Sequence, residues 1–195
     1  MLSICGKPDV SIFKEGLERA AWLSVHGSDV AAEFVSYILR RAGEEGGAVY
    51  RKALEIVEGG KARGSLKLEG FEKEVDGRLV KVVGGGAELE RSRCGRTLLR
   101  IEIAAEVGGV RRDYTITYGR YGKNNAAVGF AYIREEADAE RFSALVEALT
   151  GKRPRIRHMK DGTIMIMCTR EHLDGFARYA ELADAIARWL EETRR

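Results

Sequence analysis

At 195 residues, 45% hydrophobic and 32% charged with a formal charge of +3, the chain can build one substantial core and is too apolar to be disordered. No apolar run nears the roughly 20 residues that cross a bilayer as a helix, and MLSICGKPDVSIFKEG has no basic start before an apolar block, so neither a span nor a signal peptide is expected. Cys5, Cys94 and Cys168 lie far apart, with no CxxC pair and no histidine at metal-ligand spacing, which predicts a reduced, cytoplasmic protein without structural zinc.

The spacing predicts a helical lead from Ser11 to about Gly43, broken near Val25–Ser28 by HGSD. Ser28 or Asp29 caps the second piece, where Val30, Ala31, Phe34, Tyr37 and Ile38 recur at helical intervals, and Gly43 closes it. AGEEGG is an acidic, glycine-rich connector. A helix follows from Ala48 to Glu58 and ends at Gly59–Gly60.

From Gly64 the period becomes two, with Leu66 and Leu68 on one side. A hairpin through Asp76–Gly77 joins Phe71–Val75 to Leu79–Val83, because Asp-Gly suits the tight primed turn. Gly84–Gly86 reads as a bend. It is no nucleotide loop, for it lacks both GxGxxG and GxxxxGK[ST]. Thr97–Val107 alternates Leu99, Ile101, Ile103 and Ala105 against Arg100, Glu102 and Glu106. Val110–Tyr118 places Tyr114, Ile116 and Tyr118 on one face. A third strand, Ala126–Ile133, follows the loop GRYGKNN, giving an antiparallel meander with one wet face. Asp138 can cap the next helix, whose stripe is Phe142, Leu145, Val146 and Leu149. PRIRHMKDGTIMIMC is a hairpin turning at Asp161–Gly162. Thr169 then caps a last helix of about 22 residues. The expected fold is α+β, a mostly antiparallel sheet with helices packed on one face. Residues 1–28 form a helical lead and 29–195 a single domain.

Charge is unevenly placed. Arg111–Lys123 carries +3 and Gly151–Lys160 carries +5, so a chain of net +3 is −5 elsewhere. Such segregation suits a phosphate-facing surface, the alternative being solvated rims and strand edges. Tyrosines among the cations suit unstacked bases. The candidate nucleic-acid-binding residues are Arg111, Arg112, Arg120, Tyr121, Lys123, Asn124, Arg153, Arg155, Arg157 and Lys160. Arg155 and Arg157 share a strand face opposite Ile156.

Catalytic signatures are sparse. There is no GxSxG, and no cysteine has a histidine at an informative local spacing. His158 and His172 read as structural or solvent-facing, and His26 has no evident partner. Glu44 and Glu45, adjacent in a glycine-rich turn, are a possible metal pair; the alternative is a solvated connector.

The chain has no glutamine and only two asparagines, Asn124 and Asn125, amid abundant Glu, Lys and Arg, the composition of hyperthermophile proteins. RRAGEEGGAVYRKALEIVE, KARGSLKLEGFEKEV, RRDYTITYGRYGKNNAAVGFAY, ALTGKRPRIRHMKDGTI and REHLDGFARYAELADAIARWLEETRR together resemble the PaRep repeated-gene family of hyperthermophilic crenarchaea (its 2b branch), from about Val35 onward. The resemblance implies a multi-copy, mobile-element-like archaeal gene, and no catalytic residue carries over from it. The order strands, helix, hairpin, helix also resembles the later part of a LAGLIDADG homing endonuclease repeat, where a saddle-shaped sheet sits on DNA and acids at the end of the signature helix bind metal. The signature itself is missing, YILRRAGEEGG being a faint echo, and a helix follows it where that family has a strand.

These readings converge on a protein of mobile-element origin that binds DNA or RNA through its basic, tyrosine-containing surface, with no catalysis, cofactor or membrane partner. One alternative is a Mg²⁺-dependent, LAGLIDADG-like endonuclease or a degenerate relic of one, using Glu44 and Glu45. Another is an interaction module whose C-terminal helix docks a partner or a second copy.

Overall fold

Where α-helical spacing gives way to period two, the chain also divides. The computed structural model describes residues 10–25 and 28–193. His26 and Cys5 lie outside these residues. Contacts separate one unit ending at Arg63 from a second beginning at Gly64.

The first unit holds α1 (Val10–Val25), α2 (Asp29–Glu45) and α3 (Gly47–Lys61) around Leu17, Ala21, Val35, Ala42, Ala53 and Val57. Ser28 caps α2, its Oγ accepting the Ala31 N–H at 3.3 Å. Gly43 does not end α2, which runs on to Glu45 before Gly46 turns with φ 122°. Nor do Gly59 and Gly60 end α3. A Cβ on Gly60 would stand 2.4 Å from the Glu18 carbonyl oxygen, so glycine here lets α3 close on α1. The buried Glu18 carboxylate pairs with Arg63 at 3.1 Å. The expected boundary after residue 28 thus falls at 63/64, because α2 and α3 bury their apolar positions with α1.

The second unit contains β1 (Glu72–Val75), β2 (Arg78–Arg91), β3 (Thr97–Val107), β4 (Val110–Tyr121), β5 (Ala126–Ile133), α4 (Glu136–Thr150), β6 (Arg155–His158), β7 (Ile164–Cys168), α5 (Arg170–Phe176) and α6 (Ala180–Glu192). The seven strands form one open antiparallel sheet in the order β1-β2-β3-β4-β5-β7-β6. The α+β class is as expected. The core gathers Leu99, Ile101 and Ile103 of β3, Tyr114, Ile116 and Tyr118 of β4 and Ile164 and Ile166 of β7 with Phe142 and Leu145 of α4, Leu173 and Phe176 of α5 and Ile186 and Trp189 of α6. The helices therefore cover one face, and the face opposite is open.

Local chemistry explains most connections. Asp76 and Gly77 both take positive φ, 50° and 71°, as a type I′ turn requires. Gly84–Gly86 is not a bend but the middle of β2, next to a register shift between Val82 and Gly84. A Cβ on Gly85 would lie 2.6 Å from the Glu102 carbonyl oxygen and 2.9 Å from Leu68, so glycine lets the bulged strand press onto β3. α4 starts two residues before Asp138, which instead accepts from Arg141 at 2.6 Å in the first turn.

The last helix is two helices. Leu66, expected in a strand, makes a single parallel bridge to Tyr179. Its N–H donates to the Arg178 carbonyl, and its own carbonyl accepts from Ala180, both at 2.9 Å. Tyr179 is buried, its hydroxyl donating to the Leu149 carbonyl at 3.1 Å. A continuous helix would orphan these groups in the core. Leu182, Ile186, Trp189 and Leu190 of α6 are buried too, so the stripe expected to meet a partner faces inward. Among the described residues no helix is long and apolar enough to cross a membrane.

Candidate nucleic-acid interface

Strand alternation sends every second residue to the open face. Cross-strand pairing aligns Arg155, Met167, Phe130, Thr117, Arg100 and Glu88 in one row across the sheet, and Arg157, Met165 and Tyr132 in the next. Tyr132 is 64% exposed and Tyr121 41%, whereas Tyr118 on the covered face is fully buried. The Phe130 and Tyr132 rings stack with centroids 6.5 Å apart and planes 24° from parallel. Tyr121 meets Phe130 edge-on at 5.3 Å. A Cβ on Gly119 would stand 2.8 Å from the Tyr121 ring, so glycine there lets that ring lie down on the sheet. Three rings thus form a continuous track along β5 to the end of β4.

β5 inverts the usual rule. In AAVGFAYI the small residues Ala127, Gly129 and Ala131 face the core, and the large Val128, Phe130 and Tyr132 face out. Tyr118 is the reason: a Cβ on Gly129 would sit 2.7 Å from its ring. The big core tyrosine of β4 leaves room only for small residues beside it. Sequence reasoning missed Phe130 and Tyr132, although the small-large alternation of β5 was a readable signal.

The expected cations divide into two groups. Arg155 and Arg157 stand on the open face beside Met167 and Met165, and among the described residues neither makes an ion pair. Arg111 is exposed on the same face, paired in register with Glu106. Lys123 and Asn124 lie in the exposed turn between β4 and β5, and Lys160 in the loop 159–163 between β6 and β7, at the other end of the strands.

Three others point elsewhere. Arg112 faces the helices, 3.7 Å from Asp138. Arg153 donates to Asp76 at 2.8 Å. Arg120 donates through Nε to Thr193 Oγ1 at 3.0 Å and through Nη1 to the Asn125 carbonyl at 3.2 Å, with its guanidinium 5.1 Å from the Trp189 ring. Toward β3 the open face is locally neutralised, since Arg100 binds both Glu90 and Glu102. Its positive edge is therefore β6.

Glu44 and Glu45 end α2, and Glu44 accepts from Arg41. Among the described residues no three His, Cys, Asp or Glu side chains gather to hold a metal. His158 is exposed, 2.9 Å from Glu136. His172 is buried, and its Nδ1 accepts the Thr169 N–H at 3.0 Å to cap α5. Burial lowers its pKa, with Lys152 acting the same way and the Arg153 backbone opposing. Burial pushes the Cys168 thiol up to about 12, which makes it a packing group rather than a thiolate nucleophile.

The chain matches no protein-family model, no curated protein and no solved structure. The open face presents exposed aromatic rings in line, flexible thioethers beside them and guanidiniums along one edge that are unpaired among the described residues. Such a face can stack planar groups and neutralise anions.

Proposed function

We propose that this protein binds single-stranded DNA or RNA on the open face of its sheet, without catalysis. The observation that carries the reading is the Tyr132–Phe130–Tyr121 track beside Arg155 and Arg157. Each base stacked on an aromatic side chain contributes about 1–3 kcal/mol by alanine substitution, whatever the base. Cations along the edge supply the salt-dependent phosphate attraction. Unstacked bases are required because the rings lie flat on a sheet, and a duplex keeps its base faces inside the stack.

The resemblance to a mobile-element-like gene family of hyperthermophilic archaea agrees with this reading without assigning an activity. Free thiols at Cys94 and Cys168 suit a cytoplasmic setting.

The test is fluorescence anisotropy with one 12-nucleotide sequence, offered as single-stranded DNA, as RNA and as duplex, at 50 and 200 mM salt. Single strands are expected to bind more tightly than duplex, and more weakly at the higher salt. Equal affinity for duplex, or no binding at 50 mM salt, contradicts the proposal.

A further inference from the structure

The aromatic track ends in a cleft. Its volume is about 820 Å³, and Arg91, Arg96, Arg120, Tyr121, Asn125 and Glu192 are among the residues lining it. It lies where the β2–β3 hairpin tip, the β4–β5 turn and the end of α6 meet. The size suits a small-molecule ligand. Tyr121 belongs both to this cleft and to the open face, through its edge-on contact with Phe130.

The charge is one-sided. Among the described lining residues three are arginines and one, Glu192, is a carboxylate. Arg91 and Arg96 are exposed, and among the described residues neither is in an ion pair. Arg120 differs, being held in place by Thr193, Asn125 and the Trp189 ring. The walls are tied together as well: Trp189 Nε1 donates to the Thr97 carbonyl at 3.1 Å, and Asn125 Nδ2 reaches the Thr193 carbonyl at 3.5 Å. One anchored guanidinium and two exposed ones around a cavity, with an aromatic ring at its mouth, match a doubly charged phosphate attached to a base.

We infer that this cleft binds a nucleotide phosphomonoester, with the phosphate among Arg91, Arg96 and Arg120 and the base against Tyr121. The inference rests on the single-strand reading for its biological setting, since the cleft then receives the end of a strand lying along the track. A free mononucleotide carries the same chemistry.

Calorimetric titration with adenosine 5′-monophosphate and with adenosine separates the phosphate from the base. The nucleotide is expected to bind at least about tenfold more tightly, as charge-assisted contacts to guanidinium require. Arg91→Ala with Arg96→Ala abolishes that difference. Arg93→Ala, on the same hairpin tip but outside the cleft lining, leaves it intact. Equal binding of the two ligands, no binding of either, or an advantage that survives the double variant overturns the inference.

Eight-nucleotide strands ending in phosphate or in hydroxyl form the second arm. A gain for the phosphorylated strand that the double variant removes assigns the cleft to strand ends. Tight nucleotide binding without that gain assigns it to free mononucleotide. If strands bind and the nucleotide does not, the cleft proposal fails and the sheet reading stands. If the nucleotide binds and no strand does, the sheet reading fails and the cleft stands.

Discussion

The two faces of this sheet use the same residue types to different ends. On the covered face Tyr118 is fully buried, 6.4 Å from Trp189, and burial raises its hydroxyl pKa well above the ordinary value. Across the sheet Tyr132 is 64% exposed and stacks on Phe130, within its own strand. Packing accounts for the ring of the first tyrosine. It accounts poorly for the second, because an exposed ring gains little from folding, and rings in line on a sheet are contiguous apolar surface of the kind that marks a binding site. Burial thus explains one face, and the proposal assigns recognition to the other.

Adjacent residues of β7 give the sharpest contrast. Ile166 is fully buried, and Ile166→Ala is expected to cost about 2–5 kcal/mol in urea unfolding, through the forfeited transfer energy and a residual cavity. Met167, one residue on, faces out, and Met167→Ala is expected to stay within about 1 kcal/mol. Equal costs would mean that the open face is structurally occupied.

Binding should show the reverse order. Tyr132→Ala is expected to weaken single-strand affinity by about 1–3 kcal/mol, roughly 5- to 150-fold by anisotropy, while shifting stability by less than about 0.5 kcal/mol. Charge comes next. Arg155→Glu with Arg157→Glu should lower the slope of log affinity against log salt by about 0.7 for each phosphate that is no longer neutralised. Arg153→Ala should leave that slope alone, because its guanidinium is engaged by Asp76.

The smallest expected effect lies on the covered side and depends on pH. Burial holds His172 below its ordinary value, so the unfolded chain takes up a proton first as pH falls. The stability this histidine contributes is complete above about pH 6.5 and declines as pH drops from there toward its folded value. Unfolding free energies at pH 7.5 and 5.5 should differ less in His172→Gln, which keeps an acceptor for the Thr169 N–H.

The covered face was largely legible in advance. Alternation in β3 and β4 named Leu99, Ile101, Ile103, Tyr114, Ile116 and Tyr118 as partners, and the Asp76–Gly77 turn followed from its φ requirements. Three features depend on contacts distant in sequence and were not. The bridge from Leu66 to Tyr179 splits the last helix across more than a hundred residues. The approach of Glu102 turns Gly84–Gly86 from a bend into a strand. Packing of α2 and α3 with α1 moves the boundary to 63/64. In the candidate site, Arg155 and Arg157 were readable from strand period, but the fates of Arg112, Arg120 and Arg153 were set by Asp138, Thr193 and Asp76, which no local pattern links to them. The aromatic track was signalled by the small-large alternation of β5, whose large residues turn outward to make room for Tyr118.

The most direct test of the open-face account is the methyl NMR spectrum of methionine-labelled protein titrated with a single-stranded octanucleotide. Met165 and Met167 sit beside Tyr132 and Phe130 in the cross-strand register, while Met159 lies in the β6–β7 loop. The account expects the Met165 and Met167 methyls to move with a single saturating constant, and that movement to disappear in Tyr132→Ala. Saturable binding that leaves both methyls in place would contradict it, because the strand would then lie somewhere other than the open face.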